Sequence, residues 1–199
     1  MDVGGSARAF LEGVKNPDVP RSPRLDKLAD VLSLAPAAAY GVLLVMLLIT
    51  RDPYYIVVAM GMATLGVAVE VTKQLTRPFL GRFLWLARPA DARGCGAFGG
   101  EEPEPNCGGG EGGACPGMPS NHQATMAFFV FSMIFYHRTT IFSGPLWVVL
   151  LGLSVGVGAS RVYKHCHTTD QVVAGSAVGV LFATLFYHLV SPPERVTVV

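Results

Sequence analysis

Charged residues are scarce in this sequence. Asp, Glu, Lys and Arg make up 15% of its 199 residues, and their charges sum to only +1. A soluble domain usually carries about 25% charged residues, and a nucleic-acid-binding protein carries a marked excess of Lys and Arg. The composition therefore argues against a soluble domain and against a nucleic-acid partner.

Signals for several common functions are also missing. The segment "MDVGGSARAFLEGVKNPDVP" has no apolar run of the kind that forms the core of a secretory signal peptide. No phosphate-binding loop of the Walker type and no cluster of carboxylates appears, so a metal–nucleotide site has little support. We therefore expect the first apolar span to act as the targeting signal, and we expect no cofactor.

Long apolar stretches are what the sequence does contain. Hydrophobic residues make up 51% of the chain, and they are concentrated in stretches comparable to the ~20 residues that a helix needs to cross a bilayer. Backbone polar groups inside a membrane must be bonded within the segment, which favours helices over strands. The sequence predicts an all-α, polytopic membrane helix bundle of about five spans: Ala29–Thr50, Tyr54–Thr72, His122–Tyr136, Pro145–Ser160 and Val172–Val190.

The predicted spans divide the chain into three parts. A polar segment covers residues 1–28, one membrane domain covers residues 29–190, and a C-terminal tail covers residues 191–199. The long connection between the second and third spans ends in a loop, residues 90–117, that is rich in Gly and acidic residues. This composition predicts irregular structure outside the hydrocarbon.

Five spans place alternate loops on the same side of the membrane. One side then collects a group of Lys, Arg, Ser and His residues: Lys73, Arg77, Arg82, Arg88, Ser120, His122, Arg161, Lys164, His165 and His167. All four cysteines lie on that side too, which indicates an oxidising compartment with disulfides in one of three pairings, or else free thiols. The positive-inside rule favours the opposite orientation, because the segment before the first span also carries Lys and Arg.

This concentration of cations and imidazoles suits phosphate chemistry. Guanidinium and ammonium groups bind a phosphate dianion, and a helix that begins at "PSNH" adds N–H groups that favour an anion. One imidazole can attack phosphorus and a second can protonate the leaving oxygen. The cluster by itself favours a metal-independent phosphohydrolase.

Two motifs connect this chemistry to a family. "PSNH" is similar to the P-S-G/S-H motif and "SRVYKHCH" fits S-R-x5-H, and both occur in this order in the type 2 phosphatidic acid phosphatase superfamily. The stretches "LADVLSLAPAAAYGVLLVMLLITRD", "GMPSNHQATMAFFVF" and "SRVYKHCHTTDQVVAGS" resemble its dolichyl-diphosphatase branch. The resemblance implies a multi-pass enzyme of the endoplasmic reticulum membrane, with its active site in the lumen. Such an enzyme converts dolichyl diphosphate to dolichyl phosphate and returns this lipid carrier to N-glycosylation.

The resemblance also implies roles for individual residues. His167 would be the nucleophile that forms a phosphohistidine, and His122 would be the general acid on the leaving group. Arg161, Ser120 and Lys73 would bind the phosphate.

The first motif of the superfamily, K-x6-R-P, has no matching Lys–Arg pair in this chain. Lys73 is assigned the Lys role because it ends the second predicted span. Arg88 is preferred for the Arg role because "LARP" is near the PSNH loop. Arg77, one helical turn after Lys73, competes for that role, and Arg82 is also left open.

The residue that orients the nucleophile departs from the pattern as well. The superfamily places Asp four residues after the nucleophilic His, whereas this chain has Gln171 there and Asp170 one residue earlier. Gln recurs at this place in the dolichyl-diphosphatase branch, so Gln171 is assigned the role, with Asp170 as the alternative source of charge. Thr168 and Gln171 also have the spacing of a capping box at the start of the fifth span.

Three other functions compete with the first one. A broader lipid phosphate phosphatase would act on phosphatidate or prenyl diphosphates. A non-enzymatic lipid-phosphate binder or transporter would not need both motif histidines. A metal-binding membrane protein would use the cysteines and "HCH", whose spacing matches no common zinc pattern.

Overall fold

The computed structural model describes residues 22–79, 86–89, 95, 115–137 and 143–190. Within these ranges the chain is helical, and the only β-type pairing is one isolated bridge. The helices are α1 Pro23–Ser33, α2 Ala35–Thr50, α3 Tyr54–Thr76, α4 Asn121–His137, α5 Ser143–Tyr163 and α6 Thr169–Val190, and a 3-10 turn, Arg77–Phe79, follows α3. The predicted all-α helix bundle is confirmed.

The first predicted span is bent rather than straight. Helices α1 and α2 form an angle of 45° across Leu34, and α1 begins at Pro23, before the predicted start at Ala29. Pro36 accounts for the break, because proline lacks the N–H that would bond to the carbonyl four residues earlier and its ring clashes with that carbonyl. The bend turns α1 away from the axis of α2.

The number of long apolar helices is lower than predicted. Among the described residues three helical stretches are long and apolar enough to cross a membrane, Tyr54–Phe79, Gly144–Tyr163 and Thr169–Val190, and the bent pair α1–α2 would make a fourth. Helix α4 falls short because it has 17 residues, a length of about 26 Å against a hydrocarbon core of ~30 Å.

Helix α4 occupies the centre of the bundle. It packs against α2, α3, α5 and α6, and ten of its residues are buried. A helix that is apolar on all sides belongs in such a position because no face of it needs contact with a polar surface. The central position of α4 brings its first residues, which carry the PSNH motif, close to the ends of its neighbours.

Helices α4 and α6 make a close backbone contact. A Cβ atom at Gly175 would lie 2.7 Å from the carbonyl oxygen of Ser120, and one at Gly179 would lie even closer to the carbonyl oxygen of Ala124. No side chain fits at either position, so small residues four apart let the two backbones meet, as is common in membrane bundles. The contact fixes the start of α4 against the start of α6.

Aromatic residues join the elements at the opposite end of the bundle. The rings of Tyr54 and Tyr136 stack with centroids 3.8 Å apart, and the Tyr136 hydroxyl donates to the Asp52 carboxylate. Tyr55 Oη and His137 Nε2 are 3.2 Å apart. These contacts hold the α2–α3 turn against the end of α4, which leaves the start of α4 at the other end.

Candidate active site

Backbone hydrogen bonds bring residues 86–89 to the start of α4. The Arg88 N–H donates to the Cys115 carbonyl (2.8 Å) and the Gly117 N–H donates to the Leu86 carbonyl (2.7 Å), around an isolated antiparallel bridge between Ala87 and Pro116. This pairing places Arg88 beside the segment that leads into the PSNH motif, although about thirty positions separate them in sequence.

The turn between α5 and α6 holds two of the predicted site residues together. The backbone N–H groups of Cys166 and His167 both donate to the Arg161 carbonyl, at 3.0 and 3.3 Å. Arg161 lies in the last turn of α5 and is 0% exposed, and His167 is 2% exposed. The S-R-x5-H motif thus forms one compact, buried turn.

The Gln171 amide contacts the His167 ring. Its Oε1 lies 3.2 Å from His167 Nδ1 and accepts from the Thr168 N–H (3.3 Å), while its Nε2 donates to the Ala87 carbonyl (2.6 Å). A backbone N–H can only donate and a carbonyl can only accept, so these two contacts determine which end of the amide faces the ring. His167 Nδ1 must therefore carry the proton in this contact, and the lone pair of the neutral ring lies on Nε2.

The capping box predicted for Thr168 and Gln171 is present together with the contact between Gln171 and His167. The Gln171 N–H donates to Thr168 Oγ1 (3.4 Å), and the Thr168 N–H donates to Gln171 Oε1. Gln171 therefore both caps α6 and contacts His167. Asp170 is exposed, whereas Gln171 is fully buried. The orienting role of Gln171 stays a prediction, and this geometry favours it over Asp170.

Three cations act on the buried His167 ring. Burial, together with the positive charges of Arg88, Arg161 and Lys73, holds the pKa of His167 well below its usual value of 6.5, while the Gln171 hydrogen bond acts in the opposite direction. Lys73 is only 3% exposed, although it lies near the end of α3. A buried convergence of one ammonium and two guanidinium groups suits a phosphate dianion.

The structure separates the candidates for the Arg role of the first motif. Arg88 is partly buried and its charge acts on His167, whereas Arg77 is exposed in the turn after α3. Arg82 lies outside the described residues. Phosphate binding by Arg88 stays a prediction, and its position favours it over Arg77.

Ser120 and His122 lie where α4 begins. Ser120 is 0% exposed, and its Oγ has no hydrogen-bond partner within the part of the chain that the structure describes. His122 borders an open cavity of about 440 Å³ between α2 and α3, whose walls include Tyr40, Met62 and Val67. The cavity is therefore lined by polar residues of α4 and by mostly apolar residues of α2 and α3.

The three cysteines within the described residues are disulfide-bonded. Cys95 and Cys166 form a disulfide, and Cys115 is disulfide-bonded as well; Cys107 lies outside the described residues. Disulfide sulfurs are not available as the thiolate ligands that zinc requires. Within the described ranges, no group of three or more His, Cys, Asp or Glu side chains is placed to hold a metal ion.

Two contacts of Arg161 had no signal in the sequence. Its Nη1 donates to Ser33 Oγ (3.1 Å), and its Nη2 donates to the Cys95 carbonyl. A single Ser at the end of a helix has many ordinary explanations, and a backbone carbonyl leaves no mark on the sequence at all. Both contacts join residues more than sixty positions apart.

Comparison with known proteins identifies a family match over most of the chain. The family model of the PAP2 superfamily matches residues 54–195. The structure is similar to a transmembrane PAP2-type phosphatidylglycerolphosphate phosphatase from Bacillus subtilis, with a TM-score of 0.64 over 94% of this chain and 86% of that one. The two sequences are 15% identical, so this similarity concerns the fold alone.

Curated relatives match a shorter region. Lipid phosphate phosphatase epsilon 2 of Arabidopsis thaliana is 38% identical over 76 residues, which are 36% of this chain and 27% of that protein. Dolichyldiphosphatase 1 of Dictyostelium discoideum is 37% identical over 81 residues, 37% of this chain and 35% of that protein. Dolichyldiphosphatase of Saccharomyces cerevisiae is 37% identical over 84 residues, 37% of this chain and 34% of that protein. Each match spans about a third or less of the relative's length.

Proposed function

Because the chain belongs to the PAP2 superfamily, we propose that it is a membrane lipid phosphatase that hydrolyses dolichyl diphosphate to dolichyl phosphate through a phosphohistidine on His167. The observation that carries this proposal is the surroundings of that ring. His167 is buried, its Nδ1 is held by Gln171, and three cations lie close enough to lower its pKa.

The first step of the proposed reaction is an attack by His167 on the terminal phosphorus. Nε2 forms the new N–P bond with its lone pair, and the bond between that phosphorus and the bridging oxygen breaks. Lys73, Arg88 and Arg161 neutralise the phosphoryl oxygens, whose charge would otherwise repel an attacking nucleophile. The hydroxyl of Ser120 and the N–H groups at the start of α4 are the other proposed phosphate ligands.

The proposed role of His122 covers both halves of the reaction. In the first half it gives a proton to the oxygen of the departing dolichyl phosphate. In the second half it takes a proton from the water that attacks the phosphohistidine, and inorganic phosphate leaves with regeneration of His167. The mechanism requires no metal ion, because cationic side chains do the work of charge neutralisation.

A lipid substrate is supported by the cavity beside His122. Its walls come from the apolar helices α2 and α3, and its inner end reaches Asn121 and His122. An isoprenoid chain placed between these helices would present its diphosphate at the start of α4. Two of the relatives bear the name dolichyldiphosphatase, which supports dolichyl diphosphate as the substrate.

A broader lipid phosphate phosphatase is the second candidate. Two relatives from Arabidopsis thaliana are named lipid phosphate phosphatases, epsilon 2 and epsilon 1, at 38% and 33% identity. An enzyme of this kind would accept phosphatidate or prenyl diphosphates. The proposed phosphate ligands contact only the phosphate, so they do not select the lipid that is esterified to it.

The proposed location is the endoplasmic reticulum membrane, with the site facing the lumen and the product returning to N-glycosylation. The disulfide between Cys95 and Cys166 supports this orientation, because disulfides persist in oxidising compartments. The disulfide lies at the same end of the bundle as His167.

Phosphate release by the purified protein tests the proposal. Dolichyl diphosphate, phosphatidate and farnesyl diphosphate are offered separately, each with and without EDTA. We expect release from dolichyl diphosphate to exceed release from the other two and to be unaffected by EDTA. Equal rates on all three would favour the broader phosphatase, and activity that EDTA removes and Mg²⁺ or Zn²⁺ restores would contradict the mechanism.

A further inference from the structure

We propose that Ser33 and the Cys95–Cys166 disulfide are positioning elements that hold the Arg161 guanidinium for phosphate binding, so that the site works fully only when this disulfide is oxidised. The inference rests on the proposed phosphate site. It adds two features to that site: a contact from α1, which precedes the region that the family model matches, and a requirement for an intact disulfide. The family match begins at residue 54, whereas Ser33 lies on α1.

The first contact comes from α1. Ser33 is 3% exposed, donates its hydroxyl hydrogen to the Ala29 carbonyl (2.8 Å), and accepts from Arg161 Nη1 (3.1 Å). Because the hydroxyl hydrogen is used within α1, its oxygen lone pairs face the guanidinium. An ion pair between Asp30 and Lys164 (2.7 Å) holds the same helix against the end of α5.

The second contact comes from the loop that contains Cys95. The carbonyl of Cys95 accepts from Arg161 Nη2, and the side chain of the same residue is bonded to Cys166. Cys166 in turn donates its N–H to the Arg161 carbonyl (3.0 Å). Arg161 is therefore connected to Cys95 in two ways. Its guanidinium contacts the Cys95 carbonyl, and its own backbone carbonyl accepts from Cys166, which is bonded to Cys95 through the disulfide.

Contacts on two different nitrogens fix the plane of a guanidinium group. One contact leaves the planar fork free to rotate about it, whereas contacts at Nη1 and Nη2 together define its orientation. Arg161 is 0% exposed, so a misdirected guanidinium has no water to move into. Loss of either contact should therefore weaken phosphate binding without removing the charge.

Binding of inorganic phosphate to the purified protein in detergent tests the Ser33 contact without requiring turnover. We expect Ser33→Ala to raise the Kd for phosphate by about 10-fold, the lower end of the range for loss of one hydrogen bond to a charged group. Ser33→Thr keeps the hydroxyl and should restore most of the affinity. Ser132→Ala is the matched control: Ser132 is equally buried at the other end of α4, and its Oγ has no hydrogen-bond partner among the described residues.

A double-mutant cycle separates positioning from general damage to the fold. In an Arg161→Ala background, Ser33→Ala should have little further effect on phosphate affinity, because the group that it positions is gone. If Ser33→Ala weakens binding equally in both backgrounds, or if it leaves the wild-type affinity unchanged, the positioning role is wrong.

Reduction tests the disulfide contact. Treatment with TCEP, with cleavage of Cys95–Cys166 verified by mass spectrometry, should raise the Kd for phosphate by a similar factor. The Cys95→Ser/Cys166→Ser variant should begin at that weaker affinity and not respond to TCEP. Unchanged affinity after verified cleavage would overturn the redox requirement, as would an equal TCEP response in the double variant.

Two outcomes distinguish this inference from the proposed function. If the wild type binds phosphate through Arg161 but releases none from dolichyl diphosphate, the substrate proposal fails and the positioning inference stands on its own test. If Arg161→Ala binds phosphate as tightly as the wild type, Arg161 is not a phosphate ligand and the inference fails.

Discussion

At the level of single residues, the Gln171 amide determines which nitrogen of His167 carries the proton. Two backbone groups, the Thr168 N–H and the Ala87 carbonyl, fix the amide so that its oxygen faces Nδ1. A neutral amide can hold the ring in this tautomer, but it stabilises an imidazolium less than a carboxylate does. The surrounding cations lower the pKa of His167 further, so the site favours a neutral ring, which the proposed nucleophilic role requires.

The two histidines should respond differently to replacement by Ala. His167→Ala should abolish turnover and any covalent phospho-enzyme, because no nucleophile remains. His122→Ala should slow turnover by roughly 10²–10⁴-fold, the usual range for a general acid, and should affect phosphatidate more than dolichyl diphosphate, whose leaving phosphate is less basic than an alkoxide. Rapid-quench trapping with ³²P-labelled substrate measures both effects. A phospho-intermediate that persists in His167→Ala would show that another residue is the nucleophile.

The pH dependence should reflect the lowered pKa of His167. Because the lowered pKa favours the neutral ring, protonation removes the Nε2 lone pair only well below pH 6.5, so the acidic limb of kcat/KM should lie below that value. Gln171→Glu places a carboxylate beside Nδ1 and should move the limb to higher pH by about 1–2 units. Asp170→Asn is the control, because Asp170 is exposed on the same turn. A larger shift in the control than in Gln171→Glu would assign the orienting role to Asp170.

At the level of helices, the α4–α6 contact links packing to the site. Gly175 lies against the Ser120 carbonyl, so any side chain at this position has to push the start of α4 away. Ser120 belongs to the PSNH motif, and its N–H donates to the Gln171 carbonyl (3.1 Å). The spacing of these two helices therefore also sets the distance between the proposed phosphate ligands and His167.

Gly175→Ala should consequently reduce both stability and activity. Overpacking of a tight contact costs about 1–3 kcal/mol, and displacement of Ser120 should raise the KM for the lipid substrate. Gly41→Ala is the matched control, because a Cβ atom at Gly41 on α2 meets nothing within 4 Å. Thermal unfolding in detergent and steady-state kinetics give the two readouts. A Gly175→Ala protein as stable and active as Gly41→Ala would show that the contact can relax.

At the level of the whole molecule, the bundle has two chemically distinct ends. One end holds Lys73, Arg88, Arg161, His167 and the Cys95–Cys166 disulfide, and the other holds the Tyr54–Tyr136 stack with Asp52. Apolar side chains cover much of the surface between them. A bilayer around this surface would place the two ends in different compartments.

The orientation of the bundle can be tested in sealed microsomes. We expect the loop of residues 90–117 to resist a protease added from the cytosolic side, because disulfides on that end indicate the lumen, and to be cleaved once detergent opens the vesicles. The loop of residues 138–142, on the opposite face in the predicted topology, should be accessible without detergent. Cleavage of residues 90–117 in intact vesicles would reverse the orientation and agree with the positive-inside rule.

The sequence by itself determined the features that depend on local order. Apolar stretches predicted where α2, α3, α5 and α6 lie, since the hydrophobic length of a segment does not depend on its neighbours. The motifs "PSNH" and "SRVYKHCH" led to the prediction that His122, Arg161 and His167 are site residues, and the spacing of Thr168 and Gln171 predicted the capping box that is present at α6. The bend at Leu34 was also readable in principle, because Pro36 breaks a helix locally.

Only the tertiary structure decided which distant residues meet at the site. The sequence already preferred Arg88 to Arg77, and the bridge between Ala87 and Pro116 places Arg88 near the start of α4. The pairing of Cys95 with Cys166 was left open by the sequence and is seen only in the structure. Ser33 meets Arg161 across 128 positions. Contacts of this kind require long loops to close, and the entropy of closure varies so slowly with loop length that sequence separation does not select one partner over another. The packing of α1 against α5 and of α6 against α4 makes that selection.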